Sequence, residues 1–208
     1  MTAATAVRQE TWTPRQGEVL EAALGLLVAG SDKLTMNGVA RKAHCSKETL
    51  YKWFGDRDGL LLATVQWMAA KVGMPRLDRA RLDADTLRAA VESFGRALLS
   101  VLNSENSVAL NRVAIAHAGI TVPDLGAIVL QNGRLEMGRR LKPVLEAGRA
   151  VGLLRFADSE QAFRTFFGLV VRDVQIRRLL GETCRLSETE IADEAKEAAE
   201  QFFILFGA

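Results

Sequence analysis

Between Arg41 and Arg57 the chain sets five basic side chains (Arg41, Lys42, Lys47, Lys52, Arg57) against two acidic ones (Glu48, Asp56). Tyr51, Trp53 and Phe54 are threaded among them, in a chain that is only 6% aromatic. The chemistry these residues offer is recognition of a polyanion. Lysine and arginine attract phosphate, and a phenol or threonine hydroxyl donates a hydrogen bond to it. Tyr51, Lys47 and Lys52 are the first candidates, with the hydroxyls of Thr35 and Thr49 at the rim of the same unit. A helix opening at Thr35 would add backbone amides able to hold an anion. Leu50 and Phe54, four apart, would face a core instead. An ordinary solvated helix with one core side has the same composition, so residue types alone leave both readings open.

Other chemistries find few residues. The two histidines, His44 and His117, give a Ser-His-Asp or Cys-His set almost no room. There is no glycine-rich phosphate loop and no Cys/His/Asp cluster at metal spacing. Catalysis, a metal and a cofactor are therefore not expected. Cys45 and Cys184 stand far apart, which argues against a disulfide framework and fits a reducing cytosol. A net charge of +2 is too small for a protein that coats nucleic acid with its whole surface, so any contact must be local. The first residues lack an apolar signal-peptide core, and no apolar run approaches the ~20 residues of a membrane span. A cytoplasmic protein with no membrane partner is the expectation.

The elements that must position the basic stretch read as helices almost throughout, an all-α chain. Residues 1–13 form a loose arm. Thr13 caps a first helix, with Pro14 in its first turn, Gln16 as capping-box partner and Val19, Ala22, Ala23, Leu26 and Leu27 as its stripe. Gly30 and Ser31 end it. Thr35 caps a short helix over 37–43, His44 and Cys45 make a turn, and Ser46 caps a third helix over 47–53. Gly55 breaks it, Asp56 caps a longer fourth helix carrying Leu60, Leu61, Val65 and Met68, and Gly73-Met74-Pro75 closes that run. Two short helices joined by a brief turn have the layout of a helix-turn-helix, whose second helix enters the major groove. The expected division is a three-helix DNA-binding domain over 14–60 and a larger helical domain over 61–208.

In the larger part, helices are expected over 85–102 (Leu87, Val91, Phe94 and Leu98 on one face), 108–118 and 123–150, with Pro143 kinking or breaking the last. A further helix runs from Asp158 to 180, and Ser187 with Glu190 forms a capping box for the final one. One helix-turn-helix reads few base pairs, so a dimer gripping two half-sites roughly 34–36 Å apart is expected. The apolar stripes of the last two helices are the candidate partner surface: Val170, Val171, Val174, Ile191, Ala195, Phe202 and Phe206. The alternative is that both stripes face the chain's own core. The arginines Arg134, Arg139, Arg140, Arg172, Arg177 and Arg178 read as solvated faces.

Residues 15–73 resemble the DNA-binding domain of the TetR (tetracycline-repressor) family of bacterial transcription regulators. The resemblance lies in VLEAALGLL, LTMNGVARKA and SKETLYKWFGDRDGLL. It implies that Tyr51 binds a backbone phosphate and that Arg57, where lysine is usual, does likewise. It implies duplex contacts for Thr35, Lys47, Glu48, Thr49, Lys52 and Trp53, and packing roles for Val39, Ala40, Phe54 and Leu60. Residues 110–182, with RVAIAHAG, PDLG and FFGLVVRDVQIRRLLG, loosely resemble AefR-like regulatory domains. The resemblance further implies a homodimer on a palindromic operator, closed by a four-helix bundle, and a small-molecule effector bound by the larger domain. By family habit the regulator is a repressor.

The turn departs from the family pattern, which has glycine and a branched apolar residue where this chain has His44-Cys45; if His44 takes a left-handed backbone, that is uncommon but tolerated by histidine more than by most residues. Glu48 either accepts from a cytosine amine or sits as a carboxylate partner of its own helix N-terminus, the preferred reading. Candidate pocket residues are Trp67, Phe94, Leu98, His117, Met137, Phe163 and Phe166, each of which also reads as core. Few acidic residues fall among them, which favours an apolar or neutral effector. The competing function is an architectural DNA-binding protein that senses no small molecule.

Overall fold

Local hydrogen bonding decides where most helices begin. In the computed structural model, which describes residues 12–74, 77–78, 81–120, 124–183 and 185–208, Thr13 caps α1 (Pro14–Ala29) in a capping box with Gln16. The expectations for residues 1–11, Pro75, Pro123 and Cys184 lie outside the described residues. The Thr35 hydroxyl accepts from the Gly38 amide at 3.0 Å and starts α2 (Met36–Lys42). Ser46 does the same for α3 (Lys47–Phe54), accepting from Thr49 at 3.2 Å. Asp56 accepts from the Gly59 amide at 2.8 Å and opens α4 (Arg57–Ala70). Such caps typically contribute about 1 kcal/mol each.

The chain divides into two compact units, residues 1–67 and 68–208, with the division inside α4. The first unit closes around Leu20, Leu24, Leu27, Leu34, Val39, Leu50 and Leu60, all fully or almost fully buried. The buried stripe of α1 is Val19, Leu20, Ala23, Leu24 and Leu27, so it includes two leucines that replace the expected Ala22 and Leu26.

The second unit contains α5 (Ala84–Asn103), α6 (Glu105–His117), α7 (Leu125–Asn132), α8 (Arg134–Ala150), α9 (Ser159–Val171), α10 (Val174–Leu179) and α11 (Glu188–Phe206). Its centre is aromatic. Phe166 meets Phe202 edge-on at 5.5 Å between ring centroids and Phe94 at 6.5 Å. Among the described residues there is no strand, only one isolated bridge between Leu154 and Gly207. No described helix is long and apolar enough to cross a membrane.

The helix expected over 123–150 is two helices, and the break falls at Gly133, not at Pro143, which lies inside α8. A Cβ at Gly133 would stand 2.6 Å from the Val129 carbonyl oxygen that ends α7, so the chain needs glycine there. The helix expected from Asp158 to 180 breaks at Arg172, whose backbone takes φ 43° and ψ −125°. The Arg172 guanidinium pairs with Glu194 at 2.8 Å and Glu197 at 3.1 Å on α11, which holds the bend.

Most of the candidate partner surface is turned inward in the single chain. Val170, Val171, Ile191, Ala195 and Phe202 are buried within the single chain, because α11 packs its stripe onto α5 and α9. Only Val174 and Phe206 of that set are part-exposed. The arginines expected on solvated faces differ in their surroundings. Arg178 is 4% exposed and bonds Glu105 at 2.6 Å. Arg140 donates to the carbonyls of Ala69 (2.8 Å) and Val72 (2.9 Å), and Arg139 and Arg140 share the buried Glu136. Arg134 lies over the rings of Phe163 and Phe167 at 4.4 and 4.3 Å. Arg178 is thus buried and Arg134 and Arg140 half-buried, bound to carboxylates, carbonyls and rings, while Arg139, Arg172 and Arg177 remain exposed as expected.

Candidate nucleic-acid interface

The turn between α2 and α3 is made by hydrogen bonds that run backwards along α2. The Cys45 amide donates to Ala40 O at 3.0 Å, and the His44 amide to Arg41 O at 3.4 Å. With His44 at φ 49°, this is a Schellman ending, which usually takes glycine at the left-handed position. The histidine is tolerated at a cost of roughly 1 kcal/mol. Cys45 is a free, half-buried thiol.

Helix α3 then separates two faces. Leu50 and Phe54 go to the core, and Phe54 stacks edge-on with Trp53 at 6.1 Å and tilted against Trp12 at 6.3 Å. Lys47, Glu48, Tyr51 and Lys52 point outward, with Tyr51 53% exposed. Thr49 and Trp53 are half-buried between the faces, and Thr35 is exposed at the start of α2. The Thr49 hydroxyl is 3.0 Å from Ser46 Oγ, so it is partly occupied by the cap. Lys47, Glu48, Tyr51 and Lys52 thus share the exposed side of α3, Thr49 and Trp53 lie at its edge, and Thr35 stands on a neighbouring helix start.

The Glu48 carboxyl is held below its ordinary range, first by its own backbone amide, then by Ser46, with Lys47 adding charge attraction. That is the signature of a carboxylate folded onto its own helix N-terminus.

Arg57 does not extend freely. Its Nε donates to Leu34 O at 2.9 Å, just before the Thr35 cap, and its Nη1 lies 3.5 Å from Asp58. Two further residues shape this face that the sequence reading left without a role. Arg15 donates from Nη2 to Ala43 O (2.7 Å) and His44 O (3.0 Å), reaching the turn across 28 positions of sequence. Gly59 lets α4 start directly under the end of α3: a Cβ there would lie 2.0 Å from Phe54 O. The repeated glycine in GDRDGLL is a visible signal for the second; no local pattern points to the first.

The expected pocket residues separate. Phe94, Leu98, Met137, Phe163 and Phe166 join one buried cluster in the second unit. Packing is tight there, since a Cβ on Gly138 would meet the Phe163 ring at 2.8 Å. Trp67 belongs to the first unit. His117 is part-exposed, and its Nδ1 sits 2.8 Å from Val113 O, one helical turn back. A half-open groove of about 320 Å³, lined among others by Met68, Lys71, Ala97, Ser100 and Ser104, uses none of the seven. No group of three or more His, Cys, Asp or Glu side chains able to hold a metal occurs among the described residues.

Comparison with known proteins follows the two units. The family profile described as bacterial regulatory proteins, tetR family, matches residues 19–64. The profile of the AefR-like transcriptional repressor C-terminal domain matches residues 89–208. Among solved structures, a TetR transcriptional regulator from Agrobacterium tumefaciens is 44% identical, with a TM-score of 0.76 over 95% of this chain and 96% of that one. The flavonoid-responsive regulator FrrA is 25% identical, with a TM-score of 0.67 over 93% and 97%. A TetR family transcriptional regulator from Pseudomonas syringae, 17% identical with a TM-score of 0.65 over 95% and 98%, shares the fold. No curated protein matches.

Proposed function

The chain belongs to the tetR family of bacterial regulatory proteins, and we propose that it is a homodimeric, sequence-specific DNA-binding regulator, a repressor that a small molecule releases from its operator. The observation that carries the DNA-binding part is the division of α3 into a buried Leu50–Phe54 side and an exposed side bearing Lys47, Tyr51 and Lys52. That side has the shape and charge to lie in a major groove, with the phenol and ammonium groups at phosphates. In this reading Thr35, Thr49 and Trp53 flank the duplex, and Arg57, whose Nε is held by Leu34 O, presents its remaining guanidinium donors to a phosphate.

Dimerisation in this reading uses apolar side chains that the chain leaves exposed on α10, α11 and the turn after α10: Ile176, Leu180, Ile204 and Leu205. Leu180 and Ile204 are 81% and 82% exposed, which is unusual for large apolar groups on a lone protomer and suits a symmetric interface. Release by an effector is a population shift: the molecule must bind the arrangement that cannot hold DNA more tightly than the one that can. The name of FrrA, a flavonoid-responsive relative, supports a sensing role for the AefR-like half.

The packed phenylalanines favour one rival, a DNA-binding protein whose core is simply filled. A thermal-shift screen against small apolar and aromatic molecules separates the two. Sensing predicts stabilisation that grows as RT ln(1 + [L]/Kd) and loss of DNA binding at the same concentrations. Stabilisation by no compound, with DNA binding intact, would leave the filled-core protein.

A further inference from the structure

Helix α2 has seven residues, too few to persist alone. Both of its ends are held from outside by arginine. At the far end, Arg15 of α1 donates from Nη2 to Ala43 O at 2.7 Å and His44 O at 3.0 Å. At the near end, Arg57 of α4 donates from Nε to Leu34 O at 2.9 Å. The Arg15 Nη1 is turned to Glu18, one turn along α1, which fixes the guanidinium on its own helix. The last carbonyls of a helix lack partners and carry partial negative charge, so a planar cationic fork is well matched to them.

The carbonyls Arg15 grips belong to the residues that set the angle between α2 and α3. His44 is the left-handed residue of that turn, and Cys45 is the first to leave it. We infer that Arg15 is a positioning residue for DNA recognition, aiming α3 through the α2–α3 turn without touching the duplex, with Arg57 as its counterpart at the other end of α2. The inference rests on the DNA-binding reading above. It differs from a phosphate contact in what it predicts: both terminal nitrogens of Arg15 are engaged within the protein, Nη1 by Glu18 and Nη2 by the turn carbonyls, so its removal releases no counterion.

The test uses the full chain and its Arg15→Ala, Arg15→Gln and Arg15→Lys variants. The probes are a duplex that the wild type selects from a random pool and a scrambled duplex of the same length. Arg15→Ala is expected to weaken the selected duplex by about tenfold. It should leave the scrambled duplex, and the slope of log K against log salt, unchanged. Arg15→Lys, which keeps a charged donor, should recover most of the loss, and Arg15→Gln less. Hydrogen exchange at the Cys45 amide should rise in Arg15→Ala and return in Arg15→Lys.

A salt slope shallower by about 0.9 in Arg15→Ala would mean a phosphate contact and overturn the inference. So would a selected-duplex affinity within twofold of wild type. If the wild type selects no duplex, the DNA reading itself has failed; exchange at Cys45 then decides the clamp alone, and unchanged exchange in Arg15→Ala refutes it.

Discussion

At the scale of single residues, backbone geometry marks the positions where substitution is most informative. His44 occupies a left-handed site that glycine takes without strain. His44→Gly should stabilise the protein by about 0.5–1 kcal/mol, read as a higher urea midpoint at unchanged slope. Gly59 is the reverse case. The Gly59→Ala methyl would press on Phe54 O, backbone that cannot rotate away, and should cost about 1–3 kcal/mol by the same measurement. Tyr51→Phe removes only a hydroxyl from an exposed ring. It should weaken selected and scrambled duplexes alike, by about 1 kcal/mol in titrations at fixed salt; loss confined to one sequence would make Tyr51 a base reader instead.

At the scale of elements, capped starts and glycine ends were legible, and breaks inside long apolar runs were not. Thr13, Thr35, Ser46, Asp56 and Ser187 all cap as their types and positions suggest, because a cap is a hydrogen bond to an amide two or three residues away. The break at Arg172 was hidden, because it is held by Glu194 and Glu197, which lie on another helix. The burial of Phe202 and Ile191 was equally hidden: an apolar stripe does not say whether its partner is in the same chain or another. Of the candidate interface, the exposed residues of α3 could be read from spacing. The Arg15 clamp could not, since it spans 28 positions.

The strained backbone at Arg172 costs roughly 1–3 kcal/mol, and its exposed ion pairs return only part of that. Arg172→Gly should therefore raise stability by about 1 kcal/mol, and a lower melting temperature would show that the ion pairs outweigh the strain.

At the scale of the whole molecule, the account requires two copies of the DNA-binding face. Phe202 lies at the centre of the aromatic core, so Phe202→Asp should unfold the second unit, by about 3–5 kcal/mol, rather than separate subunits. Ile204→Asp changes a side chain that is 82% exposed on the same helix. It should leave the helical circular dichroism intact while light scattering falls to the mass of one chain. A dimer that survives Ile204→Asp would move the interface off that face of α11.

Whether the exposed side of α3 reads DNA sequence is decided by selecting binding sites from a random duplex pool at fixed salt. Wild type would be compared with Lys47→Ala. The account predicts a palindromic site with half-sites about one helical turn or a multiple apart, relaxed or lost in the variant. Binding without a shared site, steeply salt-dependent and equal for both proteins, would contradict it.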